Sequence, residues 1–478
     1  MIGRKKEINE LNRIYSRNRS ELVVIYGRRR VGKTYLVNET FKDRITFRHT
    51  GLSPAELASS GLLKAQLDHF YISLQMQGLK GEKKPTNWFE AFSLLEKLLL
   101  SKDDGSRQLV FIDELPWMDA PRSGFTTAFE AFWNGWCSAR SNIMVIVCGS
   151  ANSWIHDNLI NNYGGLYNRV TYTLKLFPFS LKECEEYFLS QNIIFSKYDI
   201  VQAYMILGGI PYYLGYLRAD LSLAQNIDEL FFSERPILDG EYDRLFNSIF
   251  SNPEKAKKIV EFLHTRNKGY TRKEISKGTG IPSGSELTKF LNSVVASDFA
   301  IKYISFGDGK RDECYKLTDP FCLFYLHFLK GKNKTGTNFW QNNMNSAPIN
   351  SWRGISFENV CFQHIRQIKH TLAIEGIESN QSAWTKTGDD ASSGAQIDLI
   401  IDRADNVINL CEIKFYSEEY TVDKAYEMQI RHRNNLIQKL IPKKKSLRNT
   451  LITTYGLHTN AYSGIFTNVI TLDDLFTC

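Results

Sequence analysis

The sequence predicts an α/β protein built from a parallel sheet with a helical lid, a helix-turn-helix with a hairpin, and a second α/β domain at the C-terminal end. Three observations predict it. An apolar run feeds into a glycine-rich loop at residues 21–34, two more apolar runs end in polar residues at 108–114 and 142–152, and a hairpin at 395–415 carries charges among apolar residues.

Residues 21–34 read ELVVIYGRRRVGKT. The spacing Gly27-x4-Gly32-Lys33-Thr34 is that of a phosphate-binding loop: the glycines let backbone N–H groups face a triphosphate seated on a helix N-terminus. The expected ATP site is therefore Gly27, Arg28, Arg29, Arg30, Val31, Gly32, Lys33 and Thr34. Lys33 would reach the β and γ phosphates and Thr34 would hold Mg2+. Arg28, Arg29 and Arg30 either touch phosphate or stand exposed on a loop whose backbone does the binding.

The run 108–114 (QLVFIDE) is a buried strand ending in two carboxylates. Asp113 is expected in the Mg2+ shell and Glu114 as the residue that polarises the attacking water. A third strand, 142–148, runs into Gly149-Ser150-Ala151-Asn152 at the carboxyl edge of the sheet, where open α/β sheets bind ligands. Ser150, or else Asn152, is placed to sense the γ-phosphate; the competing reading is a helix cap.

In the order IGRKKEINEL, YGRRRVGKT, VFIDELPW, VCGSANSW, GGLYNR and GGIPYYL, the first half of the chain resembles an AAA+-type ATPase. More closely it resembles the archaeal-type ATPases related to signal-transduction ATPases. The resemblance implies Gly3, Arg4 and Glu7 near adenine, Arg169 as an arginine finger within a homo-oligomer, and 208–211 in the lid's sensor region. Arg169 read without it is an ordinary surface arginine.

The 478 residues suggest about three domains of roughly 150 residues. With 43% hydrophobic and 13% aromatic residues the composition is that of a globular protein. No run reaches the ~20 apolar residues of a membrane span and the start is charged, so no membrane partner and a cytoplasmic location are expected. Eight scattered cysteines without a Cys-x2-Cys pair argue against a zinc ribbon or disulfide scaffold. A net charge of +7 permits nucleic-acid binding without requiring it.

The expected domains are an ATPase core at 1–180, a lid at 181–250, a winged helix at 251–330, a linker at 331–350 and a C-terminal domain at 351–478. In the winged helix, the second helix with Lys289 would face the major groove while Lys302, Lys310 and Arg311 meet phosphate. Such modules serve equally as spacers or protein contacts.

In the C-terminal domain a helix at 352–370 carries Glu358, and two strands flank a turn at 404–406. With Arg403 opposite Val407, Asp398 lies opposite Glu412, Lys414 shares their face, and Ile397, Leu399 and Ile413 take the other. Glu358, Asp398 and Glu412-x-Lys414 resemble the PD-(D/E)xK restriction-endonuclease-like nucleases, with Ile397 in the place of the proline. The resemblance implies Mg2+ on Asp398 and Glu412, joined by Glu358, with Lys414 activating water. The expected function is an ATP-regulated, Mg2+-dependent DNA nuclease in defence or mobile-element biology. The alternative is a regulatory ATPase that binds DNA or protein with a non-cleaving C-terminal fold.

Overall fold

The computed structural model describes residues 2–53, 61–160, 165–166, 168–250, 252–307, 313–331, 336–386 and 395–477, with the backbone alone at 385 and 386. The chain divides into two compact units. One comprises Met1–Pro178 and Asp243–Ala256, the other Phe179–Tyr242 and Lys257–Cys478. The residues expected as a lid are thus split, with 181–242 in the second unit.

The first unit is built on five parallel strands: β1 (Glu21–Tyr26), β2 (Ile45–Thr50), β3 (Gln108–Asp113), β4 (Ile143–Gly149) and β5 (Tyr172–Lys175), in the order β2-β3-β4-β1-β5. Strands β3 and β4 are buried along their whole length. That is why they read as continuous apolar runs rather than alternating ones. Leu22, Val24, Val110, Ile112, Val145 and Val147 pack with Phe70, Trp88, Phe92 and Phe125 in one core on a face of the sheet. Strand β4 lies between β1 and β3, so a residue at its carboxyl end sits between the phosphate-loop strand and the acidic strand.

In the second unit the segment after Phe179 is helical, as expected, with helices Leu181–Ser190, Lys197–Leu207, Pro211–Leu214 and Leu223–Phe231. Gly209 makes the break. Its φ is +62° and a Cβ there would lie 2.3 Å from the Phe179 carbonyl oxygen, so only glycine fits.

Next come β6 (Tyr270–Thr271), helices Arg272–Thr279 and Ser285–Ala296, and the antiparallel strands β7 (Ala300–Ile304) and β8 (Glu313–Leu317), with sheet order β6-β8-β7. The first helix is fixed by a capping box between Thr271 and Glu274. The expected tip of the hairpin, including Lys310 and Arg311, lies outside the described residues.

The expected linker is corrected in its second half. Residues Phe339–Asn343 form a helix with Trp340 buried, and the next helix begins at Ala347, inside the supposed linker, and runs to Gln363. Trp340, Trp352, Phe324 and Phe328 pack edge to face there. That apolar burial outweighs the local Asn and Gly content. A separate short helix, Ile365–Thr371, follows, where the sequence suggested one continuous helix.

The C-terminal sheet comprises β9 (Ser379–Lys386), β10 (Ala395–Arg403), β11 (Val407–Lys414), β12 (Ser446–Thr453) and β13 (Asn468–Ile470), in the order β13-β12-β11-β10-β9. Strands β9 to β11 form an antiparallel meander, and β12 joins β11 in parallel through the helix Lys424–Gln438. The β10–β11 ladder pairs Asp402 with Ile408 and Leu399 with Cys411, the register expected from the turn. One expectation fails here. The register of β10 against β9 shifts between Ile397 and Ile400, and Ile397 packs in one cluster with Ile400, Ile408 and Leu410 instead of on the opposite face. Such an irregularity re-aims the side chains within it, and Asp398 is one of them.

Candidate functional sites

The strand-to-helix turn after β1 is shaped by two glycines. Gly27 has φ +146° and a Cβ there would stand 2.2 Å from the Leu176 carbonyl oxygen; Gly32 has φ +92° immediately before the helix Lys33–Phe41. No side chain caps that helix, which leaves its first N–H groups for an anion.

Lys33 is buried. Its ammonium donates to the carbonyls of Gly27 at 3.0 Å and Arg28 at 3.1 Å and to Ser150 Oγ at 3.0 Å. Burial pushes its pKa down, partly offset by the charge of Glu114. Ser150 in turn donates through Oγ to Glu114 Oε1 at 2.8 Å and through N–H to Glu114 Oε2 at 3.1 Å. Thr34 Oγ1 donates to Asp113 Oδ2 at 2.6 Å. Burial, then the neighbouring Glu114, raises the pKa of Asp113. Glu114 adopts φ +46°, a left-handed conformation uncommon for a residue with a side chain and frequent at functional sites.

Gly27, Lys33, Thr34, Asp113, Glu114 and Ser150 are therefore joined in one hydrogen-bonded set. Asn152 belongs to it as well, accepting from the Gly27 N–H at 3.0 Å. Neither Ser150 nor Asn152 is the N-cap of the short helix Asn152–Ile155. Ala151 holds that position, without a side-chain bond. Arg28 is buried, whereas Arg29 lies partly exposed with its guanidinium 5.8 Å from the Trp117 ring centroid. Arg4 donates to the Phe177 carbonyl at 2.7 Å, and Arg169 is exposed in the turn before β5.

This fold and this site define a P-loop NTPase domain. Residues 1–217 match a family model described as an ATPase domain predominantly from Archaea, and this part of the chain is an ATPase domain. An uncharacterized protein of Methanocaldococcus jannaschii is 25% identical over 404 residues, spanning 84% of this chain and 83% of its own. An uncharacterized ATP-binding protein of the same organism is 40% identical over 43 residues, 9% of this chain and 73% of its own. Among solved structures, a Walker-type ATPase of Pyrococcus abyssi aligns with 68% of this chain and 96% of its own at 18% identity and a TM-score of 0.44. The ORC2 protein of Aeropyrum pernix aligns with 68% of this chain and 92% of its own at 14% identity and a TM-score of 0.41. No described helix is long and apolar enough to cross a membrane.

The second site lies in the C-terminal domain. Glu358, Asp398, Glu412 and Lys414 line one cleft of about 1310 Å3, with Arg353, Tyr426 and Arg433. Asp398 Oδ2 accepts from the Ile413 N–H at 3.2 Å, where the β10–β11 ladder has ended, and Oδ1 accepts from Gln396 at 3.1 Å. Glu358 accepts from Asn267 Nδ2 at 2.7 Å. Glu412 is buried and pairs with Lys414 at 2.9 Å, with Arg433, and with the Tyr426 hydroxyl.

Charges decide the protonation. Burial, then Glu412 and Glu358, push the Asp398 pKa up to about 7. Burial raises Glu358 as well, against the opposing charge of Lys316. Burial works against ionised Glu412 too, but Arg433 first and Lys414 second outweigh it and hold its pKa down.

These carboxylates are an oxygen donor set of the kind Mg2+ takes, and the raised pKa values mark negative charge that is not fully compensated. Among the described residues, however, no three His, Cys, Asp or Glu side chains meet as a group that could hold a metal. Glu412 is already engaged by its cationic partners. Tyr426 and Arg433 were not anticipated from the sequence. Arg433 interrupts the buried stripe Ile430, Arg433, Ile437 of its helix, and a charge in an apolar stripe was the available signal.

Proposed function

We propose that the chain is an ATP-binding and hydrolysing protein whose C-terminal domain is a Mg2+-dependent DNA nuclease. The observation that carries the second half is the single cleft shared by Glu358, Asp398, Glu412 and Lys414. Asp398 and Glu412, joined by Glu358, would hold the ion. A divalent cation there stabilises charge on a phosphodiester and lowers the pKa of water. Lys414, with its ammonium beside Glu412, positions that water. At the other site Lys33 binds the β and γ phosphates, Thr34 and Asp113 hold the Mg2+ shell, Glu114 polarises water, and Ser150 links Glu114 to Lys33. The exposure of Arg169 suits a finger offered to a neighbouring subunit.

The helices and hairpin of 270–317 read as a winged helix, with exposed Lys289 on its second helix. Lys302 supports DNA contact less, because it pairs with Glu313 across the hairpin at 2.9 Å. The saturated state of Glu412 favours one alternative, a regulatory ATPase whose C-terminal fold binds without cleaving.

The test is incubation of the purified protein with single-stranded, duplex and branched DNA, with Mg2+ or Mn2+, with and without ATP. Metal-dependent cleavage is expected, and its absence on every substrate would leave the regulatory reading. For the ATPase, Lys33→Ala should lose nucleotide binding or hydrolysis while Glu114→Gln retains ATP and stops turnover. Full turnover in the glutamine variant would overturn the role of Glu114.

A further inference from the structure

Lys316 is the most unusual side chain near the C-terminal cleft. It belongs to β8, in the hairpin that follows the helix pair, and is 4% exposed. Its ammonium lies 4.9 Å from the centroid of the Phe362 ring, on the helix that also carries Glu358. Burial pushes its pKa down, and the charges of Glu358 and Asp398 act against that shift. The same segment reaches the carboxylates a second time through Asn267, which donates to Glu358. Two further bonds tie the parts together: Gln363 Nε2 donates to the Thr318 carbonyl at 3.1 Å, and the Phe306 N–H to the Ala383 carbonyl at 3.0 Å.

Buried ammonium groups are placed where negative charge compensates them. Lys316 therefore belongs electrically to the carboxylate set although it comes from another module. We propose that Lys316 is the internal counter-cation of the C-terminal carboxylate site, opposing divalent-metal binding at Glu358 and Asp398 until it is displaced. Asn267 holds Glu358 on the side of that lysine. The inference rests on the metal-site reading above. Its physical content is simple: a fixed positive charge beside a cation site weakens cation binding, the more so away from water, and removing it leaves the carboxylates repelling one another and readier to take a metal.

The experiment is calorimetric titration of the full-length protein with Mn2+, without nucleic acid, comparing wild type, Lys316→Met, Lys316→Gln, Lys316→Arg and Asp398→Asn. Methionine keeps the apolar stem, and glutamine serves if the methionine variant does not fold. Both neutral variants should bind Mn2+ at least tenfold more tightly than wild type, and Lys316→Arg should restore the weak binding. Asp398→Asn defines which heat belongs to this site. Asp398-dependent binding that is equal or weaker in the neutral variants overturns the role of Lys316 and leaves the metal site standing. Binding that appears only in the neutral variants supports the inference. If no variant shows Asp398-dependent binding, the metal-site reading falls and the inference with it.

Discussion

At the scale of single residues, the C-terminal cleft is governed by which carboxylate has a cation. Glu412 has two, and Arg433→Ala would leave it buried with one, so a loss of about 3 to 5 kcal/mol in unfolding free energy is expected by denaturant titration. A companion Glu412→Gln should recover part of it. Asp398 behaves in the opposite sense. Its folded pKa of about 7 lies above the ordinary 3.8, so between those values the folded protein holds a proton that the unfolded chain has released. The stability this provides is complete below the ordinary value and is lost as pH rises through 7. In chelator, Asp398→Asn should flatten the fall of Tm between pH 5 and 8 and gain at most about 4 kcal/mol at the upper end. A wild-type Tm that rises with pH while the asparagine variant does not would contradict it. Glu358, Asp398, Glu412 and Lys414 were legible in the sequence because a short hairpin fixes its own register. Arg433, Lys316 and Asn267 were not, since long-range packing brings them in.

At the scale of elements, the phosphate loop depends on backbone shapes that only glycine provides. Gly27→Ala adds a Cβ at 2.2 Å from the Leu176 carbonyl, between β1 and the chain leaving β5, in a backbone conformation that L residues rarely adopt. It should destabilise the domain by roughly 2 kcal/mol or more and abolish nucleotide binding, measured by thermal unfolding with and without ATP. An alanine variant that still gains Tm on adding ATP would sink this account of the loop. Strands β1, β3 and β4 were readable because central parallel strands are apolar throughout and stop at polar residues. The register shift between Ile397 and Ile400 was not readable, as alternation assumes an unbroken ladder. The helix from Ala347 was missed because Asn, Ser and Pro favour turns locally, whereas here Pro348 sits in the first helical turn and Trp352 is buried.

At the scale of the whole molecule, each unit carries one candidate chemistry in its own fold, so the two should be separable by mutation. The phosphate loop with Asp113, Glu114 and Ser150 serves nucleotide, and the carboxylate cleft serves metal and phosphodiester. The central claim is that the second of these cuts DNA. The most direct measurement compares Mn2+- or Mg2+-dependent DNA cleavage by wild type with Asp398→Ala, Glu412→Ala and Lys414→Ala, each checked for ATP binding in the same preparation. Cleavage by wild type, its loss in all three variants and unchanged ATP binding is the expected result. Cleavage that persists in Asp398→Ala, or wild-type protein that binds ATP and cuts no DNA with either metal, would contradict it.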